Sequence, residues 1–245
     1  MARRDSVDPG GAEGHPGRRI ATLIGSAALI ALLVIIGVVV AVNHREDTPS
    51  TGATTTTAPA PGNPAPPAGQ TSNALTTALT SRWELYQGVA LPYSAEHGPK
   101  NVQGLGLASG YTHDPAGSLL AATQISIRAG LAPDEVWKSI LDNQLVPGEG
   151  RAAYVAEREK AHIAANTVPY PGLNQIAGFQ VVNYTDTVSV VSIATQTKTG
   201  AVQTAQITVV WAGGDWKLVM QPGGSSSTTT SPVSSLAGYT LWSGV

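Results

Sequence analysis

The chain has 245 residues, 14 Lys and Arg against 16 Asp and Glu, and a formal net charge of -2. No basic cluster attracts a polyanion, so direct nucleic-acid binding is set aside. Cysteine is absent, which removes disulfides, thiolate metal sites and cysteine nucleophiles and suggests a core large enough to stand without crosslinks.

Residues 1–19 (MARRDSVDPGGAEGHPGRR) carry Gly, Pro and charge with almost no apolar side chain, and read as a disordered cytoplasmic tail. Residues 20–42 follow as IATLIGSAALIALLVIIGVVVAV, with Thr22 and Ser26 the only polar side chains. A helix rises about 1.5 Å per residue and the hydrocarbon layer is about 30 Å thick, so this run can span a membrane. Its apolar residues cover the whole circumference, unlike the single stripe of a helix at the surface of a soluble core. Arg3, Arg4, Arg18 and Arg19 precede it, whereas Arg45 is the only Lys or Arg between Asn43 and Asp47. The positive-inside bias therefore places the N-terminus in the cytoplasm and everything after Val42 outside the cell membrane. A cleaved signal peptide would have a shorter apolar core, about 7–15 residues, and a small-residue cleavage site. The sequence VVVAVNH offers only Ala41, so Ile20 to Val42 is read as an uncleaved single-pass anchor in the lipid bilayer.

Residues 43–71 form a linker. From Asp47 they read DTPSTGATTTTAPAPGNPAPPAGQT, in which six prolines and a Thr run bury too little apolar surface to offset the entropy of ordering. In extended polyproline form, at about 3.1 Å per residue, the linker holds the following domain away from the bilayer.

Residues 72–245 are expected to form one extracytoplasmic domain. Asn73 to Arg82 opens with a short helix, Trp83 to Leu91 alternates as a strand, and Leu91-Pro92-Tyr93-Ser94 with His97-Gly98-Pro99 punctuates a loop. Asp114 is placed to cap a helix whose first position is Pro115, with Ala116, Leu119, Leu120 and Thr123 on one face. Pro133, Asp134 and Glu135 repeat that start, and Val136, Trp137, Ile140 and Leu141 keep helical spacing through Asn143. A third helix is expected over Arg151 to Ala165, with Tyr154, Ala161 and Ala165 buried and Glu157, Arg158, Glu159 and Lys160 solvated. Four β runs follow: Gly178–Thr187, Val188–Thr197, Ala201–Trp211 and Trp216–Gln221. The gaps are too short for crossovers, so the sheet is antiparallel. Gly223 to Ser231 reads as a flexible loop, and Leu236, Tyr239, Leu241 and Trp242 provide apolar surface to dock the C-terminal segment. Helices followed by hairpin-linked strands give an α+β class, with a curved antiparallel sheet wrapped around the helices.

The chemistry-bearing residues form no strong motif. His15 lies in the tail and His44 at the membrane edge, while His97, His113 and His162 lack the spacing of a helical zinc site. His113 beside Asp114 suggests an acid–base pair or, more simply, a loop histidine before a cap. Ser94 with His97 suggests a nucleophile, but the G-x-S-x-G turn is missing, and Ser109 in GLASG is one place off. Gly104, Gly106 and Gly110 lack the Lys-Ser/Thr of a phosphate loop. The five tryptophans, Trp83, Trp137, Trp211, Trp216 and Trp242, are read mainly as core. Asn183-Tyr184-Thr185 matches a glycosylation acceptor inside an expected strand. No catalytic, cofactor-binding or metal-ligating residue is assigned, and no enzymatic activity is expected.

Several short motifs carry a resemblance: Trp83 to Gly88 leading to Leu91-Pro92-x-Ser94 and His97-Gly98-Pro99, then Gly178-Phe179, Gly214-Asp215-Trp216, and Gly238-Tyr239 to Trp242-Ser243-Gly244. From Trp83 onward the chain resembles actinobacterial bitopic membrane proteins with an outer domain of unknown function, linked to conjugation and integrative elements. The architecture is also similar to the bitopic inner-membrane component of type IV secretion systems, whose outer domain has a nuclear-transport-factor or cystatin-like fold. The resemblance implies a scaffold that oligomerises and touches other envelope proteins. The leading expectation is thus a membrane-anchored interaction domain of a conjugation or secretion assembly. A small-ligand or cell-wall-binding domain is the alternative, and an enzyme on the same fold is a third.

Overall fold

A computed structural model describes residues 75–169 and 172–245. The expected tail, membrane anchor and linker lie outside the described residues. Among the described residues no helix is long and apolar enough to cross a membrane.

The domain begins with a hairpin, β1 (Arg82–Tyr86) and β2 (Val89–Tyr93), and a small pair, β3 (Asn101–Val102) and β4 (Ala108–Ser109). Three helices follow: α1 (Pro115–Leu131), α2 (Trp137–Gln144) and α3 (Glu149–Arg158). The main sheet takes β5 (Gln175–Tyr184), β6 (Val188–Gln196), β7 (Val202–Ala212), β8 (Asp215–Leu218), β9 (Ser227–Val233) and β10 (Thr240–Leu241). Its order is β10-β5-β6-β7-β8, and every pairing is antiparallel. β7 is shared along one edge: Val209–Ala212 pairs with β8, and Val202–Ile207 with β9. The expected α+β class and antiparallel sheet are therefore found.

Helix α1 organises the rest. Asp114 caps it by accepting a hydrogen bond from the Gly117 amide at 2.7 Å, with Pro115 at the first turn. One face was expected to be buried, but every residue from Ala116 to Leu131 is. The helix packs on β6, β7 and β8 and also meets β2 and α2. A helix enclosed on all sides needs apolar or small residues around its circumference, which Leu119, Leu120, Ile125, Ala129 and Leu131 provide. Its polar side chains must find partners within the protein. Ser118 donates to Pro115 O and bonds Ser189, Thr123 donates to Leu119 O, and Gln124 donates to Pro92 O at 2.7 Å.

Several local expectations need correction. Residues 75–81 hold no helix, and the WELYQGVAL run folds back on itself because Gln87 and Gly88 both take positive φ and turn the chain. Asp134 does not cap α2: the cap position is Val136, without a side-chain bond, while the Asp134 carboxylate accepts from the Ile163 amide. Helix α3 stops at Arg158, and Ala165 is exposed. Arg158 itself is not solvated but 1 % exposed. Its guanidinium donates to Ala132 O at 2.7 Å and to Asp134 at 3.0 Å, and lies over the Trp137 ring. The polar Gly223–Ser231 run contributes most of β9 rather than a loop.

The C-terminal segment docks as expected. Trp242 is 4 % exposed and packs edge-on against Trp83 and Phe179 at centroid distances of 5.1 and 5.3 Å. Leu241, by contrast, is exposed.

Candidate functional site

A groove of about 870 Å³ lies where the described chain enters the domain. One wall is the Leu75–Thr80 segment with Arg82; the other is the turn after β2, from Tyr93 and Ser94 to Lys100. That turn is tightly built. Ser94 and Gly98 exchange two backbone hydrogen bonds of 2.9 Å each, and Ser94 Oγ accepts from the His97 amide at 3.1 Å. Gly98 has φ +102°, and a side chain there would meet the Gly110 carbonyl at 2.7 Å, so the position requires glycine.

His97 is the best-positioned titratable group in the groove. Its Nδ1 lies 3.1 Å from Thr112 Oγ1 and 3.2 Å from Asp114 Oδ2. An ionised carboxylate can only accept, so Nδ1 carries the proton toward Asp114 and Nε2 is left for other partners. Glu96 Oε2 is 3.6 Å from Nε2, on a side chain that is 83 % exposed, while the His97 side chain is 20 % exposed. The α1 cap anchors Asp114 in turn. Gly117 has no side chain because one would collide with the Thr112 carbonyl, and Thr112 is thereby held close enough to bond His97.

Behind the groove, Tyr93 leads into a polar interior. Arg128, 1 % exposed, donates to the Tyr93 hydroxyl at 2.8 Å, to Gln124 Oε1 at 2.8 Å and to Gly106 O at 2.9 Å, and lies 4.5 Å from the Tyr86 ring centroid. None of these partners is a carboxylate. Burial pushes the Tyr86 phenol well up, with Arg128 opposing the shift, and does the same to Tyr111. The buried Tyr111 hydroxyl has no hydrogen-bond partner among the described residues.

A second cluster lies beside the N-terminal end of α1, next to the Asp114 cap. His113 stacks on Trp211 at 3.9 Å and 6°, and its Nε2 bonds the Asp186 carbonyl. Trp216, fully buried, donates its indole N–H to Thr112 O at 3.0 Å. Asp215 accepts from the amides of Gly110 and Tyr111 at 2.8 and 3.2 Å, tying the β7–β8 turn to the loop before α1. Within this cluster Trp216 is enclosed, whereas His113 is exposed and Trp211 partly buried.

The structure thus redistributes the sequence candidates. Asp114 pairs with His97, not with its neighbour His113. Ser94 bonds the His97 backbone, not its ring. His162 is 91 % exposed on its side chain and lies 3.2 Å from Asp134. Ser109 sits in β4, and Asn183 in β5. Trp137, Trp216 and Trp242 are buried, whereas Trp83 and Trp211 are partly so. His15 and His44 lie outside the described residues. Among the described residues no group of three or more His, Asp and Glu is placed to hold a metal. Sequence reasoning missed Arg128 altogether; a lone Arg in the apolar ISIRAGL stretch was the signal.

The family described as Domain of unknown function (DUF8175) matches residues 44–241. The chain belongs to this family. The DUF8175 match begins just after the apolar 20–42 run and ends at Leu241 in β10, so it takes in the linker and nearly all of the folded domain. No curated protein and no solved structure matches the chain.

Proposed function

We propose that this chain is a membrane-anchored extracytoplasmic interaction domain, a scaffold component of a conjugation or secretion assembly in the cell envelope, with the groove as its contact surface. Ile20 to Val42 hold the chain in the bilayer, residues 43–71 act as the tether, and the domain meets other envelope proteins or further copies of itself. The observation that supports this reading is the groove, lined by the first described segment, Leu75 to Thr80, and by exposed Arg82, Ala95, Glu96 and Lys100. The role is non-enzymatic.

The groove volume also favours a second reading, a small-ligand or cell-wall-binding domain, since small-molecule sites span about 300–1,000 Å³. Both readings share one topology, which whole-cell protease treatment of a doubly tagged chain tests. The C-terminal tag should be removed and the N-terminal tag protected; the opposite pattern, or a mature chain released into the medium without its apolar run, contradicts the anchor. Crosslinking in cells then separates the two readings. Adducts with envelope proteins or with itself favour the scaffold, and a strictly monomeric chain without adducts speaks against it.

A further inference from the structure

Deepening the reading of the groove as a contact surface, we infer that it takes a ligand through a carboxylate, held between Lys100 and the Nε2 of protonated His97. The inference rests on that reading.

Charge and orientation together select this chemistry. Arg82, Lys100 and His97 line the groove, against a single acidic side chain, Glu96. Arg82 already pairs with Glu84. Lys100 is exposed and has no acidic partner among the described residues. Below Tyr93 sits Arg128, whose hydrogen bonds all go to neutral oxygens. Its charge is therefore not cancelled by a carboxylate in contact, and with water excluded from the interior it adds positive potential to the groove. Glu96 is the one acidic side chain that lines the groove, and its exposed side chain can swing into solvent, while Asp114 faces the other ring nitrogen of His97 and is held by the α1 cap.

His97 decides the proton balance. Asp114 and Thr112 hold Nδ1, so the ring cannot turn over without losing both bonds. Neutral His97 presents a lone pair at Nε2 and repels a carboxylate. One proton taken up at Nε2 converts it into a donor, and a carboxylate bound there competes with Glu96 for that N–H. The titratable and charged groups facing this ring are Asp114 from the α1 cap and Glu96 from its own turn. Leu75, Leu79, Tyr93 and Pro99 supply apolar walls beside the charged pair, which suits a small aliphatic body next to the carboxylate.

The test titrates acetyl-Ala-Ala, with a free carboxylate, into the full-length chain, alongside its C-terminal amide and glucuronate. The acid is expected to bind at least about tenfold more tightly than the amide, because only the acid makes charge-assisted bonds. Lys100→Ala, at an exposed site, and His97→Gln should each weaken binding of the acid and leave that of the amide unchanged. Glucuronate binding more tightly than the peptide also supports the carboxylate and assigns it to a sugar acid. Equal binding of acid and amide, no binding of any probe, or undiminished binding of the acid in His97→Gln overturns the inference. Envelope crosslinks through the groove would survive such a failure, so the contact surface and its ligand chemistry fail separately.

Discussion

Arg158 and Arg128 are each 1 % exposed, yet Arg158 meets a carboxylate at 3.0 Å while Arg128 meets an amide, backbone carbonyls, a phenol and an aromatic face. Both tie distant segments together. Arg158 joins the end of α3 to Ala132 and Asp134 before α2, and Arg128 joins α1 to β2 and the Gly106 loop. The difference lies in what each leaves over. At Arg158 charge is balanced locally and the cluster is a fastening. At Arg128 the charge is solvated by neutral dipoles and stays felt beyond them, behind the wall of the groove.

That contrast predicts graded losses of stability. The largest belongs to Arg128→Ala, which leaves a cavity and strips the donor from Gln124 Oε1, Gly106 O and the Tyr93 hydroxyl; about 3–5 kcal/mol is expected from urea unfolding. Arg158→Ala should cost less, about 2–3 kcal/mol, because Asp134, 39 % exposed on its side chain, can turn to water while Ala132 O loses its partner. If the order is reversed, the view of Arg128 as the more deeply committed of the two fails.

Asp134→Asn sharpens the comparison through pH. Burial raises the Asp134 pKa, but the Ile163 amide, Arg158 and His162 outweigh it and hold the carboxyl below its usual range. A depressed folded value means that the contribution is present above about pH 4, the range of an unfolded carboxylate, and disappears as pH falls through the folded value. Solvent screening keeps the effect small, about 1 kcal/mol at neutral pH. Wild type and Asp134→Asn should therefore converge in stability on acidification. A constant gap down to low pH contradicts the ion pair. The smallest effect belongs to Tyr111→Phe. It removes a buried hydroxyl without a hydrogen-bond partner among the described residues, so stability should be unchanged or rise by up to about 1 kcal/mol, and a clear loss would mean the hydroxyl has a partner.

Much of the fold was legible because its signals are local. Asp114-Pro115 announces α1, and Val- and Thr-rich runs separated by Lys198-Thr199-Gly200 and Gly213-Gly214 announce the β6–β7 and β7–β8 hairpins. Strand β9 was hidden because SSSTTTS has the composition of a loop. Its residues nonetheless pair along β7, and most of its Ser and Thr side chains stay at least partly solvated. The buried arginines and the groove were harder still. Arg158 reads as one member of a charge run, and its burial depends on Asp134, 24 residues away. The His97–Asp114 contact spans 17 residues and arises only because the Ser94–Gly98 turn and the α1 cap converge on Thr112. No spacing rule encodes such a meeting.

On the proposed function, the groove meets partners outside the membrane. A photoreactive residue placed at exposed Ala95 on the groove, or at exposed Thr199 in the β6–β7 turn, tests it in intact cells. Adducts at Ala95 that are absent at Thr199, and that weaken in a Lys100→Ala background, are the predicted result. Equal labelling at both positions, or none at Ala95, contradicts the claim.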